Sequence, residues 1–284
     1  MKTSIFLLIT VMTTSINTIA APAKLENPIA AGIVQHEFKS SFDGSAQTFL
    51  EKDFGGGDSN VTRLVFVYLH GALSHQEQGM TAGIYNGTFE KWGEELAGRS
   101  AVYVCPEYRG NSWMGPAAEA DVLDILNLLT KRFPGRRLIL AGGSMGGTSA
   151  LIFASRNPKA VDGVIALCPA TDPALMFGVF PEHFVESYGG SPEKVPQVFS
   201  DRTSRNRGDA LAPLPIAIVH GSADAIIGVD HSRILVRDLR ERGARCHYTE
   251  ILEGDHDSPL QIPLSMLLDF AMSQDSKNNE PARP

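Results

Sequence analysis

The sequence predicts an α/β fold, a mostly parallel twisted sheet with helices on both faces. Three observations carry that prediction. Short apolar runs recur along the chain: LVFVYL (64–69), AVYV (101–104), LILA (138–141), VIAL (164–167), IAIV (216–219) and HYTEIL (247–252). Most are nearly continuous in apolar residues rather than alternating, which is what burial on both faces of a sheet demands. Segments of helical character separate them, so neighbouring strands run parallel through right-handed crossovers. The ligand site is then expected at the C-terminal strand ends.

The flanking elements follow from local chemistry. Ile33 to Lys39 and Gln47 to Phe54 bracket the turn FDGS and read as an antiparallel hairpin leading into the sheet. Between 119 and 133, Val122, Ile125, Leu126, Leu129 and Phe133 share one helical face. Glu119, Asp121 and Asp124 come early and Lys131 and Arg132 late, as the helix dipole favours, and Pro134-Gly135 ends the helix. A second helix is expected over 232–242, with Asp230 as its cap and Gly243 as its terminator.

Composition narrows the function classes. The chain has 284 residues, 43% hydrophobic and 20% charged, which is ordinary globular material. Its 25 basic against 32 acidic residues give a net charge of -7, and no stretch concentrates Lys or Arg enough to follow a phosphate backbone. Nucleic acid is therefore not an expected partner. Three cysteines, Cys105, Cys168 and Cys246, cannot all pair and lie in or beside apolar stretches, so they are expected as free thiols. No Cys or His cluster has zinc-ligand spacing, and neither a metal nor a cofactor is implied.

The first residues carry one lysine, an apolar run from Ile5 to Met12, a Thr/Ser stretch and small residues at Ala20, Ala21 and Ala23. That order is the pattern of a secretory signal peptide over 1–23, and it implies a secreted or periplasmic protein. The apolar run is too short for a membrane anchor, so stable membrane insertion is not expected. A single domain over 24–272 follows, with an insertion at 169–215, and a polar tail over 273–284 is expected to be disordered. Two sequons, at Asn60 and Asn86, matter only in a eukaryotic secretory route. Oligomeric state leaves no mark in the sequence.

The chemistry is concentrated in LILAGGSMGGTSA, 138–150, where a lone serine stands among four glycines between a strand and a helix. A strand that enters a helix through one residue strains that residue and brings two backbone segments together, which glycine tolerates. Gly142 and Gly146 give the pattern G-x-S-x-G around Ser144. A phosphate loop would need Lys before Ser or Thr, whereas Gly147-Thr148 stands here, and the spacing is not G-x-G-x-x-G. Ser144 is the candidate nucleophile.

A serine hydroxyl needs a histidine base, a carboxylate to orient it, and donors for the oxyanion. After the IAIV strand, HGSADAIIGVDHS offers Asp224 and Asp230, and CPATDP offers Asp172. Asp224 sits nearest its strand end, whereas Asp230 is placed to cap a helix, so Asp224 is preferred. After the last strand, LEGDHDSPL places His256 in a loop of small and acidic residues, and Asp255 and Asp257 are expected to favour its protonated form. His70 and His220, each before a glycine at a strand end, read as turn-shaping residues.

The order Ser144, Asp224, His256, each after a successive strand, with HGA after the first parallel strand, resembles the α/β-hydrolase superfamily. PEYRGNS (106–112), the GGSMGG turn and HGSADAIIGVDHS are similar to its prolyl-oligopeptidase-like branch, which includes single-domain esterases and peptidases. The resemblance implies an oxyanion hole from the N–H groups of Met145 and Ala72, although the lipase-type HGGG is replaced here by HGA. Peptidases of that branch usually carry a large N-terminal propeller, and the first parallel strand here already begins at Leu64, which favours an esterase.

The implied chemistry is acyl transfer on a small-molecule ester or peptide-like substrate, with short acyl or carbohydrate-linked esters preferred. A peptidase of the same branch and a non-catalytic binding module remain the alternative readings. The insertion supplies Met176, Phe177, Phe180, Phe184 and Tyr188, either as walls of an apolar pocket or as packing for a small cap. Phe177, Phe180 and Trp113 are the substrate-binding candidates, and Arg109 is expected to brace the loop before Trp113.

Overall fold

Eight strands form one sheet in the computed structural model, which describes residues 32–55, 62–80 and 86–273. The expected leader, the sequon at Asn60 and the tail beyond 273 lie outside the described residues. The strands are β1 (Ile33–Lys39), β2 (Ala46–Asp53), β3 (Leu64–Leu69), β4 (Val102–Pro106), β5 (Arg137–Gly143), β6 (Gly163–Leu167), β7 (Ile216–Gly221) and β8 (Cys246–Ile251). Their order across the sheet is β1-β2-β4-β3-β5-β6-β7-β8. β1 and β2 form the antiparallel hairpin, β2 runs antiparallel to β4, and every pairing from β4 to β8 is parallel.

The period-2 rule divides the apolar runs between two cores. Val65, Val67 and Leu69 of β3 face one core with Leu138, Leu140, Val164 and Ile216, while Leu64, Phe66 and Tyr68 face the other with Ile139, Ile165 and Ala217. The first core is covered by α2 (Pro116–Arg132), α3 (Met145–Arg156) and α8 (Asp230–Glu241). The second is covered by α1 (Asn86–Ala97) and α9 (Leu264–Met272) through Trp92, Leu96, Leu267 and Leu268. Continuous apolar strands thus end up buried on both sides.

Three expectations change in detail. Helix α2 starts at Pro116 rather than 119, because proline suits the first helical position, where its missing N–H costs nothing. Asp121 is not a solvated dipole partner: it is 1% exposed, accepts a hydrogen bond from Arg109 Nε at 2.5 Å and is also bonded by the Ser40 hydroxyl. Asp230 lies within the first turn of α8 without capping it, and pairs with Arg233 at 3.0 Å. The terminator of that helix, Gly243, has φ 70, which a glycine adopts without penalty.

Between β6 and β7 the chain forms α4 (Pro173–Met176), α5 (Pro181–Tyr188), α6 (Pro196–Arg202) and α7 (Gly208–Leu211). Phe184 is fully buried there, and its ring lies 5.1 Å from those of Trp113 and Tyr188 and 5.5 Å from that of Phe199. Arg202, nearly buried, donates to Met114 O at 2.8 Å and to Glu119 at 2.7 Å, while Arg156 reaches the same carboxylate at 2.7 Å. These bonds fasten the insertion to α2 and α3. The three cysteines are unpaired; Cys105 and Cys168 are buried and Cys246 is half-buried. Among the described residues, no helix is long and apolar enough to cross a membrane.

Candidate active site

Strand β5 passes into helix α3 through Ser144, whose backbone is held at φ 58 and ψ -121. A residue with a side chain rarely adopts that region, and the strain persists only because the surroundings fix it. Close approach explains the flanking glycines. A Cβ on Gly142 would fall 2.3 Å from the Gly146 carbonyl carbon, and one on Gly146 would fall 2.0 Å from Leu69 O. Ser144 N–H donates to Leu167 O at 2.9 Å, and Thr148 N–H donates back to Ser144 O at 2.9 Å. The hydroxyl is therefore presented by a rigid turn at the C-terminal edge of the sheet.

Loops after β7 and β8 bring two partners to it. His256 Nε2 lies 2.9 Å from Ser144 Oγ, and His256 Nδ1 donates to Asp224 Oδ2 at 2.7 Å. Asp224 is 8% exposed and its other oxygen accepts from the N–H groups of Ile226 and Ile227, both at 2.9 Å. His220, fully buried, places Nε2 3.3 Å from Asp224 Oδ2 and 2.8 Å from Ile227 O, while its Nδ1 is 2.6 Å from Ser232 Oγ. So the carboxylate is gripped from four directions. Its alternatives are engaged elsewhere: Asp172 caps α4 and pairs with Arg205, and Asp230 pairs with Arg233.

Burial disfavours the Asp224 charge, but bonds from His220, His256 and Ile227 outweigh it and hold the carboxyl well below the usual range. For His256, burial works against the protonated ring; the bond to Asp224 and the neighbouring Cys168 more than offset it and push the pKa up to about 10. The protonated form is favoured, as the sequence suggested, but by other groups. Asp255 is turned away, accepting from Asp257 and Ser258.

Ser144 and His256 line a cavity of about 200 Å³, walled by Tyr68, Ala72, Phe180 and Ile226. Ala72 N–H faces no hydrogen-bond partner among the described residues, and neither does Met145 N–H at the start of α3, where the helix dipole favours negative charge. Gly71 beside it is fixed by its N–H bond to Gln78 Oε1 at 2.6 Å. Such an arrangement can pass a proton from a hydroxyl to an imidazole and receive a developing oxyanion.

Of the substrate-binding candidates, Phe180 lines this cavity and the other two do not. Trp113 is fully buried because its ring packs against those of Phe180 and Phe184, with centres 5.3 and 5.1 Å away, and Tyr188 Oη donates to its backbone carbonyl. Phe177 packs edge-on against Phe199. Arg109 braces its loop through Asp43 and Asp121. His70 is wedged between the carbonyls of Gly71 and Glu107, at 2.8 and 2.9 Å. His220, Tyr68, Gln78 and Ile226 join the site without being among its sequence candidates. For His220 a signal existed, its spacing of four from Asp224; for the others only the fold brings them together.

A family profile described as alpha/beta hydrolase fold matches residues 65–210, half of the chain. A search of curated proteins finds no match. Solved structures agree in fold. A thermostable esterase is 17% identical with a TM-score of 0.59, over 80% of this chain and 56% of that one. Fluorophosphonate-binding serine hydrolase F of Staphylococcus aureus, with substrate bound, is 16% identical with a TM-score of 0.65, over 85% and 98%. The acylaminoacyl peptidase of Pyrococcus horikoshii is 10% identical with a TM-score of 0.64, over 88% and 50%. The chain thus spans about half the length of the esterase and of the peptidase. With the sheet order, the serine turn and the matched profile together, the chain belongs to the α/β-hydrolase fold family.

Proposed function

We propose that the protein is a serine hydrolase that cleaves short-acyl carboxylic esters through an acyl-enzyme. One observation carries this reading: Ser144 Oγ, the His256 ring and the Asp224 carboxylate form one hydrogen-bonded line, at 2.9 and 2.7 Å, from three separate strand ends. Once neutral, His256 Nε2 takes the Ser144 proton as Oγ attacks the carbonyl carbon, while Asp224 holds Nδ1–H and stabilises the imidazolium. The N–H groups of Met145 and Ala72 receive the tetrahedral oxyanion. The imidazolium then protonates the leaving alcohol, and water repeats the sequence to release the acid.

The small apolar cavity supports a short acyl group, since about 200 Å³ lies below the range of drug-sized sites. A second cavity of about 610 Å³, sharing Asp257 and Leu260 with the first and lined by Lys91, Glu95 and Gln261, supports a bulky polar alcohol such as a sugar. Export of the protein, on the pattern of its first 23 residues, belongs to the same proposal.

The test is a substrate panel on wild type and Ser144→Ala. Hydrolysis of p-nitrophenyl acetate and butyrate, falling steeply for octanoate and absent in the variant, is expected. Turnover of aminoacyl anilides without ester preference would assign a peptidase instead, and no turnover of either class by folded protein would leave a binding module.

A further inference from the structure

Spacing along the chain reveals no metal-ligand set, yet the fold assembles one. Cys168 Sγ, an imidazole nitrogen of His256 and a carboxylate oxygen of Asp224 all lie within 4.8 Å of one another. We propose that these three groups bind a thiophilic divalent cation, Zn²⁺ or Cd²⁺, and that the bound ion blocks the hydrolytic site. The inhibitory part rests on the reading of Ser144, His256 and Asp224 as the reaction centre, whereas the ion site itself does not.

The donor set suits such an ion. Thiolate, imidazole and carboxylate are the ligands zinc takes, and three of them with the fourth position left to water is a familiar coordination. Ligand bonds of about 2.0–2.3 Å place tetrahedral donors roughly 3.5 Å apart, so a set already within 4.8 Å closes through shifts of about 1 Å. The Asp224–His256 pair opens slightly from 2.7 Å. Asp224 is already oriented by outer partners, His220 and two backbone N–H groups, which is the support that tight metal sites need.

The position of Cys168 adds to the case. It follows β6 directly and holds a left-handed backbone, φ 41, fixed by its N–H bond to Val219 O at 2.8 Å. That strained conformation sets its side chain at the shared edge of the sheet, where the loops after β7 and β8 deliver the other two donors. Of the three donors, His256 borders the cavity beside Ser144 while Cys168 and Asp224 are buried, so the ion would enter at the His256 face. On binding, the Cys168 S–H proton and the proton on the ligating nitrogen of His256 both pass to solvent, the S–metal, N–metal and O–metal bonds form with displacement of metal-bound water, and no electron is transferred. His256, held by the ion, then no longer accepts the Ser144 proton.

The experiment is a Cd²⁺ titration of chelator-treated protein, read by the ultraviolet thiolate-to-Cd²⁺ charge-transfer band. Wild type, Ser144→Ala, Cys246→Ser, Cys168→Ser and Cys168→Ala are compared, with folding checked by circular dichroism. One equivalent of Cd²⁺ is expected to raise the band in the first three and not in either Cys168 variant. Zn²⁺ inhibition of p-nitrophenyl acetate hydrolysis, scaled to each protein's own metal-free rate, is expected to weaken at least about tenfold in the Cys168 variants. Losing a direct ligand costs no less than losing an outer partner, about 10- to 100-fold. A band that survives in folded Cys168 variants, or fails to form in wild type, overturns the proposal. A normal band on a protein that hydrolyses no ester overturns the reaction reading alone.

Discussion

The serine turn and the insertion above it achieve rigidity by opposite means. At the turn, backbone packs on backbone: Gly142 against Gly146, and Gly146 against Leu69, with no room for a methyl group. In the insertion, large side chains do the packing: Phe184 meets Trp113, Tyr188 and Phe199, and the Arg202–Glu119–Arg156 group fastens the cluster below. The difference teaches what each region tolerates. The turn fails when an atom is added, and the insertion fails when atoms are removed.

Within the turn itself, Ser144→Ala separates chemistry from packing. It is expected to lower kcat/KM for p-nitrophenyl acetate by about 10⁴- to 10⁶-fold while the thermal midpoint stays close to wild type. Gly146→Ala is expected to do the reverse in kind. Its methyl would meet backbone oxygens that cannot swing aside, and chemical denaturation is expected to show a loss of at least about 3 kcal/mol.

In the insertion, Phe184→Ala removes a fully buried ring from the centre of the aromatic cluster and is expected to cost about 3–5 kcal/mol. Glycine at the turn and alanine at this position would then have exchanged roles. Should Gly146→Ala prove harmless and Phe184→Ala harmless too, the contrast between the regions is lost.

The pH profile sharpens the comparison at the reaction centre. In the proposed mechanism His256 must be neutral to accept a proton, and with its pKa raised to about 10, kcat/KM measured in chelator is expected to climb from neutral pH and level off only near that value. Asp224, held well below the usual carboxylate range, stays charged throughout that window. A plateau already reached at pH 7 would show that Asp224 and Cys168 do not hold the proton as described. The smallest effect is reserved for Phe180, half-buried at the cavity wall: Phe180→Ala is expected to shift preference from acetate toward longer acyl chains with little change in stability, measured as the ratio of kcat/KM values.

The same contrast explains what was legible in the sequence. Glycines in a fixed pattern announce a backbone approach, and a serine between an apolar strand and a helix announces its own exposure, so Ser144 could be read directly. Asp224 and His256 followed from their places after successive strands, because parallel strands with right-handed crossovers deliver all their C-terminal ends to one edge. Side-chain packing carries no such local mark. An aromatic residue reads alike whether it faces the cavity, as Phe180 does, fills the interior, as Trp113 does, or lies half-buried against another ring, as Phe177 does. Asp121 misled for the same reason: its early place in a helix fits the dipole, and only the arrival of Ser40 and Arg109 from elsewhere accounts for its burial. Cys168 is likewise invisible as a metal ligand in sequence, since its two companions lie 56 and 88 residues further along.

The most direct test of the reaction centre is the site of covalent labelling by a fluorophosphonate, located by mass spectrometry of the digested protein. A single adduct on Ser144, lost in Ser144→Ala and slowed in His256→Gln, is expected. An adduct on another residue, or none on folded protein that still turns over esters, would contradict the assignment.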